Sequence, residues 1–372
     1  MNHRMWVATR KGLFTLARSA GRWDIVGSAF LGDPVSMVLH DPRDNSVYAA
    51  VGHSHFGAKL HRSADGVDWN EWITPAYPQP PEGTRDVCPS RGIEIPWRVE
   101  LIWSLETAGR DQPGVLWCGT LPGGLFRFDP SASHWQLVRS LWDQPARRKW
   151  FGGGYDYPGI HSICVNPTDT DHITVGVSCG GVWVTRDGGG TWSCKADGMF
   201  ADYMPPQSAR DPEIQDPHRL VQCPNAPDHI WAQHHNGVFR STDASDSWQA
   251  IHTVKPSTFG FAAAVHPHDP RTCWLVPALA DERRVPVDGQ VVVARTRDGG
   301  ESFQVLRPGL PSQHAYDIVY RHALDVDHTG DTLAMGSTTG SLWVSRDQGD
   351  NWRTVTNHLP PIYCVRFDKP PV

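Results

Sequence analysis

Two histidines head apolar runs of the same shape, His161-Ser-Ile-Cys-Val-Asn-Pro and His218-Arg-Leu-Val-Gln-Cys-Pro. His234 and His235 follow the second run, and His314 stands just before Tyr316 and Asp317. Imidazole serves as acid, base or metal ligand near neutral pH. A divalent transition metal such as zinc, iron, manganese, copper or nickel is the cofactor such a set would hold. Three protein ligands leave a position for water or substrate. The expected ligands are His161, His218 and His235, with Asp216 or Asp317 as an added carboxylate. The expected catalytic group is His161, His218, Tyr316 and Asp317, acting through the metal or directly as acid and base. The competing expectation is histidines that only hydrogen-bond backbone in a polar channel.

A second group lies on long connections. Trp142, Trp150, Tyr155, Tyr157 and Tyr203 offer flat rings of the kind that sugars stack on, and Asp143, Asp156, Asp211, Glu213 and Asp216 offer a general acid and base. The expected substrate-binding residues are Arg10, Lys11, Trp150, Tyr155, Tyr157, Tyr203, His234 and His314, for a small-molecule or saccharide ligand. Loop aromatics that merely pack the loops down are an equally good account. Two motifs carry no chemistry. Gly176-Val-Ser-Cys-Gly180 fits a nucleophile elbow, but a strand-like run follows where a helix is required. Phe151-Gly-Gly-Gly-Tyr155 is glycine-rich without a following helix, so it is not a phosphate cradle. Arg147-Arg-Lys149 and Glu282-Arg-Arg284 read as solvated charge, open to an anionic ligand.

These residues converge only if the elements carrying them repeat. They do. Thr185-Arg-Asp-Gly-Gly-Gly-Thr-Trp192 returns as Ser241-Thr-Asp-Ala-Ser-Asp-Ser-Trp248, Thr296-Arg-Asp-Gly-Gly-Glu-Ser-Phe303 and Ser345-Arg-Asp-Gln-Gly-Asp-Asn-Trp352. Degenerate copies end at Trp23, Trp69 and Trp135. The stretch is a tight turn: the Asp carboxylate accepts the turn's own N–H groups, and a glycine supplies positive φ. Successive aromatics stand between 46 (Trp23 to Trp69) and 66 (Trp69 to Trp135) residues apart, a period of propeller size. Each unit reads as four short strands, with the turn between the third and fourth. The first unit lacks an opening strand, and Tyr363-Cys-Val-Arg-Phe-Asp368 is a spare one. The expectation is an all-β, seven-bladed propeller spanning residues 1–372 as one domain, closed by the C-terminal strand.

The repeated turn resembles the Asp-box of the sialidase-like BNR-repeat proteins, and the resemblance runs over nearly the whole chain. It implies a propeller whose boxes are structural and lie on the face away from the ligand. True sialidases are six-bladed and carry an Arg-Ile-Pro motif, which this chain lacks. The chain is more similar to the seven-bladed bacterial BNR-repeat proteins that are glycosyl-hydrolase-like. That likeness implies no catalytic residues here.

Three long connections, Thr74–Trp97, Arg139–Pro158 and Lys195–Pro217, all join a fourth strand to the next first strand. They therefore gather on the face opposite the boxes, where a site is expected. The turns between second and third strands add Arg10-Lys11, His53, His55, Ser178-Cys179 and Thr338-Thr339 at the same level. The equivalents of His161 and His218 in the other units are read as Ser36, Glu100, Phe261, Tyr316 or Asp317, and Tyr363.

A net charge of −6 gives no electrostatic case for nucleic acid or an anionic membrane. No run has signal-peptide or membrane-spanning length. Eight cysteines without a Cys-x-x-Cys pair read as reduced thiols of a cytoplasmic protein. The leading expectation is a hydrolase or lyase acting on a small polar or sugar-derived substrate. The alternative is a non-catalytic ligand-binding or interaction scaffold.

Overall fold

The computed structural model describes residues 4–53 and 56–371. Its 28 strands form seven four-stranded antiparallel sheets. In six of them the strands lie in chain order from the axis outward. In the first blade, Ile362–Phe367 pairs with Arg4–Thr9 and supplies the innermost strand, so the chain's two ends close the ring. The innermost strands of blades one to seven are Ile362–Phe367, Val35–His40, Leu101–Thr107, Ile160–Val165, Pro217–Cys223, Gly260–Val265 and Leu324–Val326. Each touches the next, and the seventh touches the first. Closure of this kind leaves no inner sheet edge open to another chain.

The repeated turns have the clasp their sequence specifies. Asp187 Oδ1 accepts the Thr191 N–H at 2.8 Å and the Thr185 hydroxyl at 2.7 Å, while Oδ2 accepts the Thr191 hydroxyl at 2.8 Å. Asp243, Asp298 and Asp347 repeat this with Ser247, Ser302 and Asn351. These bonds favour the charged form and hold the Asp187 carboxyl down at about 2.

The box glycine has a second job. In blade four, Gly189 has φ 97°, and a Cβ there would stand 3.2 Å from the indole of Trp117 in blade three. Gly66 and Trp6, Gly300 and Trp231, and Gly349 and Trp274 repeat the pairing. These four tryptophans, in the second strands of blades one, three, five and six, are 1% exposed or less. Each buried indole removes roughly 150–250 Å² from water between two blades. In blade five the box position is Ser245 instead of glycine, and the blade before it carries Thr174 where those four have tryptophan.

All eight cysteines are free, and all but Cys194 are buried. No helix among the described residues is long and apolar enough to cross a membrane. Two innermost strands differ from their expected placement. In blade three the strand starts at Leu101 and presents Trp103 to the axis end, not Glu100. In blade seven it is Leu324–Val326, whereas Ile318-Val-Tyr320 is irregular. His55 lies outside the described residues.

Candidate functional site

Six of the seven innermost strands bulge at one place. The skipped residues are Ser36, Trp103, His161, His218, Phe261 with Ala262, and Tyr363. A bulge inserts an unpaired residue, bends the strand and re-aims its side chain. In blade seven a parallel bridge between His322 and Cys364 sets Arg321 level with Tyr363. A ring of Ser36, Trp103, His161, His218, Phe261, Arg321 and Tyr363 thus surrounds the channel mouth on the face of the long loops.

Within it, Asp216, His218 and His235 bring three ligand atoms to within 4.8 Å of one another. Asp216 Oδ2 lies 3.4 Å from His218 Nε2 and 3.5 Å from His235 Nδ1. Ligand atoms about 2.0–2.1 Å from a tetrahedral zinc stand about 3.4 Å apart, so the spacing fits. The surroundings fix each ligand. His218 Nδ1 is 2.7 Å from the Gly260 carbonyl oxygen, an acceptor, so Nδ1 carries the proton and Nε2 presents a lone pair. Asp216 Oδ1 accepts the Cys179 N–H at 3.1 Å and the Ser178 hydroxyl at 3.3 Å, which turns Oδ2 toward the histidines. Cys179 adopts φ 48° to offer that N–H. The glycine-rich loop closes over the cluster: a Cβ on Gly153 would lie 2.8 Å from Cys179 Sγ and 3.6 Å from Asp216 Oδ2.

The electrostatics favour the metal-binding form of two of the three groups. Burial alone would raise the Asp216 carboxyl. His218, His235 and Arg321 outweigh that and hold it well below the usual range, so it is ionised. Burial lowers His218 against the pull of Asp216 and favours its neutral form. His235 is less buried, and its hydrogen bond and charge contact with Asp216 override desolvation, so its pKa is raised. Neutral imidazole and ionised carboxylate are the forms that bind metal, so a metal entering the cluster would displace the proton that Asp216 favours on His235.

Arg321 is the residue that the sequence reading missed. Its guanidinium sits 4.9 Å from the Trp103 ring and 5.3 Å from the Phe261 ring, between two aromatic faces. Its Nε is buried without a partner, and no ion pair engages it among the described residues. Phe261 also stacks on His218, with centroids 4.7 Å apart at 16°, so one ring supports both the arginine and a cluster ligand. A spacing signal was there to be read. His161 precedes Asp187 by 26 residues and His218 precedes Asp243 by 25; counting 26 back from Asp347 reaches Arg321.

The other expected residues fall into three groups. Tyr203 and Tyr155 stand at the mouth: Tyr203 packs edge-on against His235 with centroids 4.8 Å apart, and Tyr155 against Trp103 at 5.0 Å. His161 is fully buried and outside the cluster; its Nδ1 pairs with Ser162 Oγ at 2.9 Å and its Nε2 has no partner. Asp216 takes the place expected of His161. His234 is also buried: its Nε2 accepts the Asp216 N–H at 3.0 Å, burial pushes its pKa down to about 3, and it positions the loop instead of meeting a ligand. Trp150 is 1% exposed and packs on Trp183, so it belongs to the core and not to a binding surface. Asp317 is spent on the hydroxyls of Ser337 and Thr339, and Tyr316 is 68% exposed beside it. Arg10, Lys11 and His314 are exposed on turns, and Tyr157 lies by Glu100; none of the four joins the cluster.

No protein-family model and no curated protein sequence matches this chain. Solved structures match its fold. An ancestral GH74 enzyme aligns with a TM-score of 0.56 at 16% identity, over 90% of this chain but 38% of its own. The chain thus spans well under half of that enzyme. A protein of unknown function from Desulfotomaculum acetoxidans aligns end to end, 100% of each chain, with a TM-score of 0.58 at 12% identity. YCF48 from Cyanidioschyzon merolae aligns over 88% of this chain and 87% of its own, with a TM-score of 0.50 at 11% identity. At these identities the likeness is one of fold.

Proposed function

We propose that this propeller is a metal-dependent hydrolase or lyase acting on a small, polar, sugar-derived substrate that carries an anionic group. One observation carries the reading. Asp216, His218 and His235 converge their ligand atoms within 4.8 Å, and hydrogen bonds behind Asp216 and His218 fix their orientation. A metal held there would polarise a carbonyl oxygen or make a bound water acidic enough to attack. Two histidines and one carboxylate leave the remaining positions free, and zinc, iron and manganese suit the donors.

The chain's own residues supply the rest. Arg321, braced between Trp103 and Phe261, presents an unused guanidinium to a carboxylate or phosphate. Tyr155 and Tyr203 offer flat faces and hydroxyls at the rim. His161 stays neutral in the channel wall behind the cluster. The GH74 enzyme among the fold neighbours lends the sugar-derived part of the reading its support. Eight free thiols suit a reducing, cytoplasmic setting.

The test is elemental analysis of protein purified without added metal, followed by titration of the metal-stripped protein with zinc and manganese. One equivalent should bind to the wild type and none to Asp216→Asn. A wild type that binds no metal in either measurement overturns the reading and leaves the scaffold alternative.

A further inference from the structure

The far end of the channel lies on the side of the repeated turns, away from the Asp216 cluster. It holds a cavity of about 470 Å³, a size typical of small-ligand sites. Its walls are the lower halves of innermost strands, with Glu106, Cys164, Arg219, Asp325 and Arg366 among the lining residues, and Lys369 from the C-terminal segment at its rim. The prolines that end the innermost strands, Pro42, Pro167, Pro224 and Pro267, mark the opening.

The charges there do not balance by internal pairing. Arg366 Nη2 meets Glu106 Oε1 at 2.6 Å, and Lys369 lies 3.9 Å from the other oxygen, so Glu106 is spent. Asp325 accepts the Phe367 N–H at 2.8 Å, and burial raises its pKa toward the neutral form. Arg219 has no hydrogen-bonded or ion-paired carboxylate among the described residues, and its Nε is buried without a partner. Arg366 stands near it, also with an unpartnered Nε. Two guanidinium groups therefore share one committed carboxylate in a walled cavity. An unpaired buried charge is costly to desolvate, and a bound counter-charge offsets part of that cost.

We propose that this cavity is a second ligand site, separate from the Asp216 cluster, which binds a small oxyanion, a carboxylate or a phosphate, between Arg219 and Arg366. Arg219 presents its planar fork for bidentate pairing, and Arg366, held by Glu106, adds a second donor. The apolar wall of Leu220, Ala264, Val265 and Leu324 would cover the ligand's carbon skeleton.

The experiment uses full-length Arg321→Met protein, in which the anion anchor of the upper site is gone. It is titrated calorimetrically, in one arm with inorganic phosphate and in the other with succinate. Binding of either probe at millimolar or lower concentration is expected, and the arm that binds identifies the oxyanion. Adding Arg219→Met should weaken that binding at least about tenfold, the loss expected for a charge-assisted bidentate pair. The double variant should melt no lower than its parent, because it loses an unpaired charge and no partner. If the double variant fails to fold, Arg219→Lys in the same background, which keeps charge but not the fork, should weaken binding and serves as the deciding variant. The proposal fails if neither probe binds the Arg321→Met protein, or if binding survives the change at Arg219. Asp216→Asn should leave this site untouched, so the failure of the metal reading would be visible separately.

Discussion

His218 meets Asp216 with its unprotonated nitrogen. Its Nδ1–H goes to the Gly260 carbonyl at 2.7 Å, which leaves the Nε2 lone pair 3.4 Å from a carboxylate oxygen. Two acceptors facing each other in a buried site call for a cation between them, a metal or a proton. Zinc affinity of the stripped protein is therefore expected to vanish in His218→Ala and Asp216→Asn. Ser178→Ala, which removes only a hydroxyl behind Asp216, should weaken it by about 10–100-fold. Calorimetric titration reads all three, and unchanged affinity in His218→Ala would move the metal elsewhere.

Arg321 and Trp150 should separate cleanly in unfolding experiments. Trp150 is buried in the core beneath the loops, so Trp150→Ala is expected to cost about 3–5 kcal/mol. Arg321→Ala loses two cation–π contacts and no ion pair, so it should cost less than about 2 kcal/mol while abolishing anion binding at the upper mouth. Urea unfolding of both variants, with anion titration of the second, makes the comparison. A large stability loss in Arg321→Ala would make that residue structural.

Gly153 keeps its loop against the cluster because it has no side chain. The added carbon of Gly153→Ala would fall 2.8 Å from Cys179 Sγ, so the thiol or the loop must shift. The thermal midpoint should hardly change, since the loop is at the surface, while zinc affinity drops about tenfold through the displaced Cys179 N–H behind Asp216. The same change at Gly154, which meets nothing nearby, is the control and should do neither.

Acid should weaken the fold well above the carboxylate range. Burial, and then nearby arginines, hold the pKa of His161 and His322 well below the usual value. The unfolded chain binds protons at these positions below about pH 6.5, and the folded chain does not. Stability is then complete above that pH and falls as pH drops, by roughly 1.4 kcal/mol for each of the two at pH 5.5. Urea midpoints at pH 7.5 and 5.5 should show this fall, and His322→Gln should remove roughly 1.4 kcal/mol of it. A midpoint unchanged between the two pH values would mean that the folded histidines titrate normally.

The blade count, the closing strand and the turn clasp were legible in the sequence because each is local. Asp187 finds its partners within four residues, and Gly189 needs positive φ whatever surrounds it. Even the pairing of a box glycine with a buried tryptophan one blade back leaves its trace in Ser245 and Thr174. The position of His218 could be read in the same way, because the bulged residue stands 25 or 26 residues before its box Asp in blades three, four and five. The same count from Asp129 and Asp347 reaches Trp103 and Arg321, whereas strand-like runs nearby point to Glu100 and to Tyr316 and Asp317 instead. Whether an aromatic on a long loop faces water or core, as for Tyr155 against Trp150, has no local signature, since loop packing obeys no period. The sequence alone determined a closed seven-bladed ring with histidines at one mouth. Only the tertiary structure decided that Asp216 and not His161 completes the cluster, that Arg321 stands free between two rings, and that the opposite mouth is charged. Those facts depend on side-chain distances across bulges, loops and blades, at the extreme between Glu106 and Arg366, and a linear pattern does not encode them.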